Sequence, residues 1–496
     1  MSNDTNKSPN PSRRDVLRSA AMGAAGVLLS SRVAKAAEAA NRAPMIVPSR
    51  FFGANAPSNT INVAQIGFGR IGTGHDLPET LRHEGLRLVA AADVDLKRVQ
   101  MAPDWLRRFY ARPQVNRPNT PVDVRTYQDY REMLSAHPEI DAVIVSTPDH
   151  AHLLPVLHAA MLGKAIYMQK PHCLTIQEGR LISNMLHRLG TTFQVGSQQR
   201  STSPWPQFKR ACEAVRNGRV GNLRTISIGL PGDPAGGIAT PQPIPATFDY
   251  DHWLATTPNV PYTEDRCHPQ NSLTDRGGWL RCEQFSAGMI TGWGAHHLDI
   301  AHWGMGTEYT GPVQIEATAE FATGGLWNVH GPFRVESRYA NGVTMIVSGD
   351  LPNGIKFEGD EGWIFVTRGN AQVTASDPAN PNRQPPLTAS DPRLLEPLPA
   401  GSIRLYGEDN TEHHADWISA IRKRTAITAA PVEVSHRSTS ACLIAHIAMK
   451  LQKPLRWDPV REQFDDRQAN SMLSRPQRSA YRPATRVPGL GALLAE

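Results

Sequence analysis

At 496 residues the chain exceeds what one ordinary hydrophobic core covers, so two domains with terminal extensions are expected. Its 40% hydrophobic and 20% charged content is that of a globular protein. No apolar run reaches the ~20 residues of a membrane-spanning helix, which excludes a membrane span from the reading.

The formal charge of +6 is concentrated at the N-terminus. Ser12-Arg13-Arg14-Asp15-Val16-Leu17-Arg18 precedes a small apolar stretch, 20–29, and then Ala34-Lys35-Ala36, a small-x-small cleavage pattern. This order resembles a twin-arginine export signal. Residues 1–36 are therefore expected to be a signal peptide read by the twin-arginine export machinery, 37–59 a spacer, and the destination periplasmic or secreted. Cleavage near Ala36 takes the formal charge from +6 to +2. No basic patch with interleaved aromatics remains, so no nucleic-acid partner is expected.

From residue 60 the pattern becomes regular. Apolar runs at 61–66, 86–92, 142–145 and 165–168 alternate with helical stretches such as 152–162 and 176–189. Alternation of this kind predicts an α/β domain over 60–196, a Rossmann-like doubly wound parallel sheet. The first run feeds Gly67-Phe68-Gly69-Arg70-Ile71-Gly72, and Asp93 closes the second. A GxGxxG between strand and helix, with an acid at the next strand end, is the dinucleotide fingerprint. Gly67 permits the tight turn, Gly69 lets backbone approach a pyrophosphate, and Gly72 lets the helix pack closely. Asp93 would accept from the adenosine ribose and repel a 2'-phosphate, favouring NAD over NADP. Ser146-Thr147-Pro148 with His152, and Gln169-Lys170-Pro171, close the third and fourth runs. Ligands of open parallel sheets bind at such carboxyl ends, so these residues are cofactor candidates. Lys170, held out of the helical region by the following proline, is placed to face a nicotinamide and to handle the proton of a substrate hydroxyl.

The second domain is expected over 197–460, with 461–496 as a C-terminal tail. Alternating strands at 333–339 and 343–348 flank Asn341-Gly342, a strong hairpin signal. Strands are also expected at 313–321 and 363–367, and helices at about 204–217, 411–424 and 436–451, so the domain is α+β with an open, largely antiparallel sheet. Proline-rich stretches 231–245 and 376–400 read as long loops that cover a site or contact a partner. Gln198 and Arg200 follow the last strand of the first domain and are candidates for substrate hydroxyls. Trp253, Trp279 and Trp293 are sugar-stacking candidates for which core packing is the alternative. If helical, 296–302 puts His296 and Asp299 at i and i+3, where a carboxylate orients an imidazole as general base or shares a metal with it. His297 and His302 are neighbours in that stretch. The spacing matches no standard zinc signature, and no metal is expected. The five cysteines, 173, 212, 267, 282 and 442, form no CxxC pair; Cys267 and Cys282 bridge in an oxidising compartment or stay as two free thiols.

Taken in order, AQIGFGRIG, AAADVD, VIVSTPDHAH and GKAIYMQKP, then GMITGWGAHHLDIAHWG at 288–304 and HRSTSACLIAHIAMKLQKPLRWDP at 436–459, resemble the Gfo/Idh/MocA family of oxidoreductases, in its exported branch. The resemblance covers about 60 to 470. It implies NAD or NADP as cofactor, sugars, cyclitols or their derivatives as substrates, and a sheet face that often pairs with a second subunit, hence a homo-oligomer. The family's EKP motif falls on Gln169-Lys170-Pro171, so its catalytic lysine matches Lys170, while its cofactor-touching glutamate has become Gln169. Its catalytic histidine matches His296 and a following aspartate matches Asp299. An aspartate expected four residues before the histidine is Gly292, a gap that His297 is placed to compensate.

An exported dehydrogenase meets little free NAD, so a tightly retained NAD, reduced and reoxidised within one site, is expected. That permits sugar-to-sugar oxidoreduction, epimerisation, or glycoside modification through a transient 3-keto sugar. Two other classes are open: a non-catalytic sugar-binding protein on the same fold, and a metal-dependent glycoside-acting enzyme built on His296, His297 and Asp299.

Overall fold

The computed structural model describes residues 60–272, 275–369, 385–406 and 412–495. The export-signal and spacer readings lie outside the described residues.

Short apolar runs, most of them buried on both faces, form the first sheet, with the polar, exposed strand Arg125–Tyr127 at its edge. Its strands are β1 (Ile61–Ile66), β2 (Leu86–Ala92), β3 (Arg125–Tyr127), β4 (Ala142–Val145), β5 (Ala165–Met168) and β6 (Phe193–Val195). All pair in parallel, in the order β3-β2-β1-β4-β5-β6. The winding reverses between β1 and β4, which opens a crevice at their carboxyl ends. After β1 the chain makes a π-helical turn, Gly72–Asp76, that continues as α1 (Leu77–Leu81). α2 (Leu153–Met161) and α3 (Ile176–Arg188) follow β4 and β5.

The second sheet has nine strands. They are β7 (Leu223–Gly229), β8 (Gln314–Phe321), β9 (His330–Arg338), β10 (Thr344–Ser348), β11 (Gly354–Gly359), β12 (Trp363–Val366), β13 (Leu387–Ala389), β14 (Leu455–Asp458) and β15 (Gln463–Phe464). The order is β13-β12-β11-β7-β10-β9-β8-β14-β15, antiparallel throughout except for the β7–β10 pair. The expected hairpin forms: Gly342 takes φ +85°, and Val347 and Met345 lie opposite Val335 and Ser337 on the buried face. α4 (Pro206–Arg216), α5 (Gly294–Met305) and the long α7 (Val432–Leu451) cover that face. Between α5 and α7 in sequence, α6 (His413–Lys423) crosses back to the first domain, where Trp417 and Ile418 pack with Leu77 and Leu81.

Two expectations about loops and tails are corrected. Part of the proline-rich stretch 376–400 is strand: Leu387–Ala389 pairs with β12 because its backbone extends an open edge. The segment expected as a tail is folded, since Tyr481, Val487 and Leu490 enter the core of the first domain. Their apolar surface finds cover there that solvent would not give.

Candidate active site

Gly67 ends β1 at φ +88°, and a Cβ there would stand 2.6 Å from the Ser146 carbonyl oxygen, so only glycine fits. Gly72 is equally confined, with its Cβ position 2.6 Å from the Gly67 oxygen. The Gln65 side chain ties the ends of β1 and β4 by donating to the Gly67 carbonyl (2.8 Å) and to Ser146 Oγ (3.0 Å). The resulting cradle lines a long groove with Gly67, Gly69, Arg70 and Ile71, and Ser146, Thr147 and Pro148 form its neighbouring wall. Asp93 lies in the same groove at the end of β2; its carboxylate accepts from the backbone N–H of Phe68 (2.7 Å) and of Asp95 (2.9 Å). The Phe68 side chain turns into the core against Trp105 rather than toward the groove. The buried Thr147 Oγ1 has no hydrogen-bond partner. A bare glycine cradle, an acid at the second strand end and this unmet hydroxyl fit a dinucleotide lying across the sheet.

At the far end of the groove Lys170 leaves β5 through a cis Lys170–Pro171 peptide, and its ammonium donates to the Gly292 carbonyl (3.0 Å). Gln169 lines the groove beside it. His152, a cofactor candidate by sequence, instead lies behind this wall, with ring nitrogens 2.8 and 2.9 Å from the carbonyl oxygens of Pro171 and Thr147. Asp149, one residue after Ser146-Thr147-Pro148, faces the groove and accepts from Ser286 Oγ at 2.7 Å. Burial pushes its carboxyl up to about 7, against the opposing pulls of Ser286 and Lys170.

The second domain supplies the opposite wall. His296, at the start of α5, is buried with Nδ1 unpartnered. Burial, then the charges of Arg368 and Lys170, hold its pKa well below the usual range, so the imidazole is neutral, with Nδ1 open to accept a hydrogen bond. Arg368 lies between the rings of Trp205 (4.0 Å) and Trp293 (4.6 Å). Asp233, from the proline-rich loop 231–245, accepts from the Met289 N–H (2.6 Å) through one oxygen and has no partner at the other. Burial pushes its pKa up to about 6. His296, Arg368, Trp205, Trp293 and Asp233 all line the groove, as do Trp253 and Trp279.

Other sequence candidates move away from the chemistry. Asp299 is held by Arg200 (2.6 and 2.9 Å) and by Ser438 Oγ (2.7 Å), with Glu308 on the other side of the guanidinium (2.8 Å). Arg200 therefore serves a buried ion-pair network rather than substrate. Three residues along α5 advance about 4.5 Å from the groove, enough to bury Asp299 although it shares a helix face with His296. His297 packs against Phe208 and approaches Asn353 Oδ1 at 3.4 Å, and burial lowers its pKa to about 3. His302 is paired with the Tyr339 hydroxyl at 2.7 Å. Gln198 reaches the groove while donating to the Tyr167 hydroxyl (3.1 Å). Among the described residues the donor atoms of His296, His297 and Asp299 do not converge on a metal position. The five cysteines are buried free thiols. Sequence reasoning missed Asp149, Asp233, Arg368 and Trp205. Only Asp149 carried a local signal, its place directly after a strand-end motif.

Two models of one oxidoreductase family match the chain. The model of its NAD-binding Rossmann fold covers residues 61–197, and that of its C-terminal alpha/beta domain covers 236–374 and 402–483. Among curated relatives, the uncharacterized oxidoreductase ORF334 of Rhizobium meliloti is 32% identical over 164 residues, 32% of this chain and 43% of its own length. A glycosyl hydrolase family 109 protein of Shewanella pealeana is 29% identical over 167 residues, 34% of this chain and 35% of its own. The chain thus spans less than half the length of these curated relatives. The solved aldose-aldose oxidoreductase from Caulobacter crescentus, complexed with glycerol, superposes with a TM-score of 0.52 over 80% of this chain and 99% of that one. At 16% identity this likeness is one of fold.

Proposed function

Because this chain belongs to the Gfo/Idh/MocA family of oxidoreductases, we propose that it moves a hydride between NAD and a hydroxyl-bearing carbon of a sugar, cyclitol or glycoside. The observation that carries the reading is one groove with a glycine cradle at one end and Lys170 and His296 at the other. The nicotinamide, when bound, supplies the hydride acceptor. The protein handles the rest of the reaction. A carbinol oxygen between Lys170 and His296 gives its proton to the neutral imidazole, while the ammonium stabilises the negative charge that develops on oxygen. Asp149, beside Lys170, offers a proton reservoir that titrates near neutrality. The unpartnered oxygen of Asp233 is an acceptor for a substrate hydroxyl, and the partly exposed Trp279 supplies an apolar face of the kind that sugar rings pack on, whereas Trp205 and Trp293 are buried against Arg368. Asp93 favours NAD over NADP by accepting from the ribose hydroxyls.

The twin-arginine pattern around Arg13-Arg14 supports a periplasmic or secreted protein that leaves the cytoplasm folded with its NAD. Recycling of that NAD then makes the net reaction a sugar-to-sugar exchange, an epimerisation or a glycoside modification, and the family 109 relative favours the last. The uncovered face of the second sheet is the surface for a homo-oligomer. The test is to denature purified protein and assay the released nucleotide: about one NAD(H) per chain is expected. A chain that carries none and fails to bind added NAD refutes the reading.

A further inference from the structure

Beside Gln169, groups from two distant segments converge on one point that the hydride chemistry does not use. Asp76, in the π-helical turn, is fully buried, and its Oδ1 lies 3.1 Å from His75 Nδ1 and 4.0 Å from His414 Nε2. One ligand atom from each of the three lies within 4.8 Å of the others. Among the described residues, the ion pairs within 4.0 Å of Asp76 are with these two histidines. His414 arrives on α6 and is fixed by stacking on Tyr167, with ring centroids 4.4 Å apart. Its Nε2 is buried, aimed at Asp76, and without a hydrogen-bond partner. A buried ring nitrogen in that state is costly unless something fills the gap. Both oxygens of Asp76 are held from behind, by Gln169 Nε2 and by Ser146 Oγ, each at 2.6 Å. Outer hydrogen bonds of this kind orient ligating carboxylates.

We propose that His75, Asp76 and His414 form a binding site for a first-row divalent cation, zinc or one of its neighbours. Imidazole nitrogen and carboxylate oxygen bind zinc at about 2.0–2.2 Å, which puts neighbouring donors of a tetrahedron about 3.4 Å apart. The observed 3.1 and 4.0 Å straddle that value, so small side-chain rotations close the site. Two imidazoles and one carboxylate leave coordination positions open. Of the three residues His75 lines the groove. An ion here neutralises Asp76 and adds fixed positive charge beside the wall that carries Gln169 and Lys170. The site stands independently of the reading of the hydride chemistry.

The experiment strips the full chain with a chelator and titrates it with Zn2+ alone and with Co2+ alone, following bound metal by elemental analysis and the Co2+ d–d absorption bands. About one equivalent per chain is expected, with affinity at least tenfold weaker in His414→Ala and in His75→Gln. Circular dichroism establishes that each variant is folded; His75→Gln, at a partly exposed position, is the handle if His414→Ala does not fold. Absence of binding to the folded wild-type chain, or unchanged affinity in the folded variants, overturns the proposal and leaves a bridging water as the occupant of the gap.

Discussion

Asp149→Asn tests the electrostatics of the groove most directly. The substitution keeps the shape of the side chain and an oxygen to accept from Ser286 Oγ, and it removes only the charge. In the unfolded chain this carboxyl titrates near 3.8, and in the folded protein burial raises it to about 7. Below the lower value both states hold the proton, and the full stability contribution is present. As pH rises, the unfolded chain releases its proton first while the folded one keeps it until about 7, so native stability falls across that window. At 1.36 kcal/mol per unit, the loss reaches about 4 kcal/mol at its upper bound by pH 8. The asparagine variant lacks this slope. It should match the wild type near pH 4 and exceed it by a few kcal/mol at pH 8, in urea unfolding followed by tryptophan fluorescence. An inflection of turnover near pH 7 should disappear with it. Wild-type and variant stability curves that run parallel from pH 4 to 8 would refute the reasoning, because they would mean that the carboxyl ionises as if it were in water.

Lys170→Met should lower turnover by about 10²–10⁴-fold, the usual contribution of positioned acid–base groups, while bound NAD per chain stays constant. Retained turnover would show that the chemistry lies elsewhere. Arg200→Met leaves Asp299 buried without its cation and should cost about 3–5 kcal/mol in chemical denaturation. Since Arg200 does not line the groove, the substrate KM of whatever fraction remains folded should be unaltered; a raised KM would reinstate Arg200 as a substrate ligand. Gly67→Ala must seat a Cβ 2.6 Å from the Ser146 carbonyl at positive φ, so the glycine turn should shift and NAD retention should fall by at least tenfold on gel filtration.

The parts of the fold legible in the sequence were those where one local pattern fixes the structure. The strands 61–66, 86–92, 142–145 and 165–168 stand where their apolar runs placed them, because burial on both faces leaves no other reading of so short a segment. β3, three residues long, carries too little pattern to detect, and β6, equally short, is legible only as an unbounded last strand before Gln198 and Arg200. β7 and β11 carry only two buried apolar residues each in alternation, Ile226 and Ile228, and Ile355 and Phe357, too short a pattern to stand out without the sheet that surrounds them. Within the site, the glycine turn, Lys170 and His296 were legible because strand ends and one helix start present them. Asp299 was misread because spacing along a helix gives a face and not a destination. Asp233, Arg368 and His414 were invisible, since each reaches the groove or its wall from a segment far away in sequence and with no motif of its own.

The two departures from the family pattern look different once those distant residues are in place. Gln169 stands where the pattern has a glutamate, and Gly292 where it has an aspartate. In space, the Gln169 amide donates at 2.6 Å to Asp76, so a carboxylate still occupies that corner, carried by the turn after the glycine motif instead of by β5. At position 292 the backbone carbonyl accepts from Lys170, and a carboxyl beside the lysine comes from Asp149, on the loop after β4. Charge at a site is a property of position, and position can be filled from any element that reaches it. The missing acids are therefore no argument for a non-catalytic binder: one carboxylate, Asp76, stands behind Gln169, and another, Asp149, lines the groove beside Lys170, tuned by burial to exchange a proton near neutral pH.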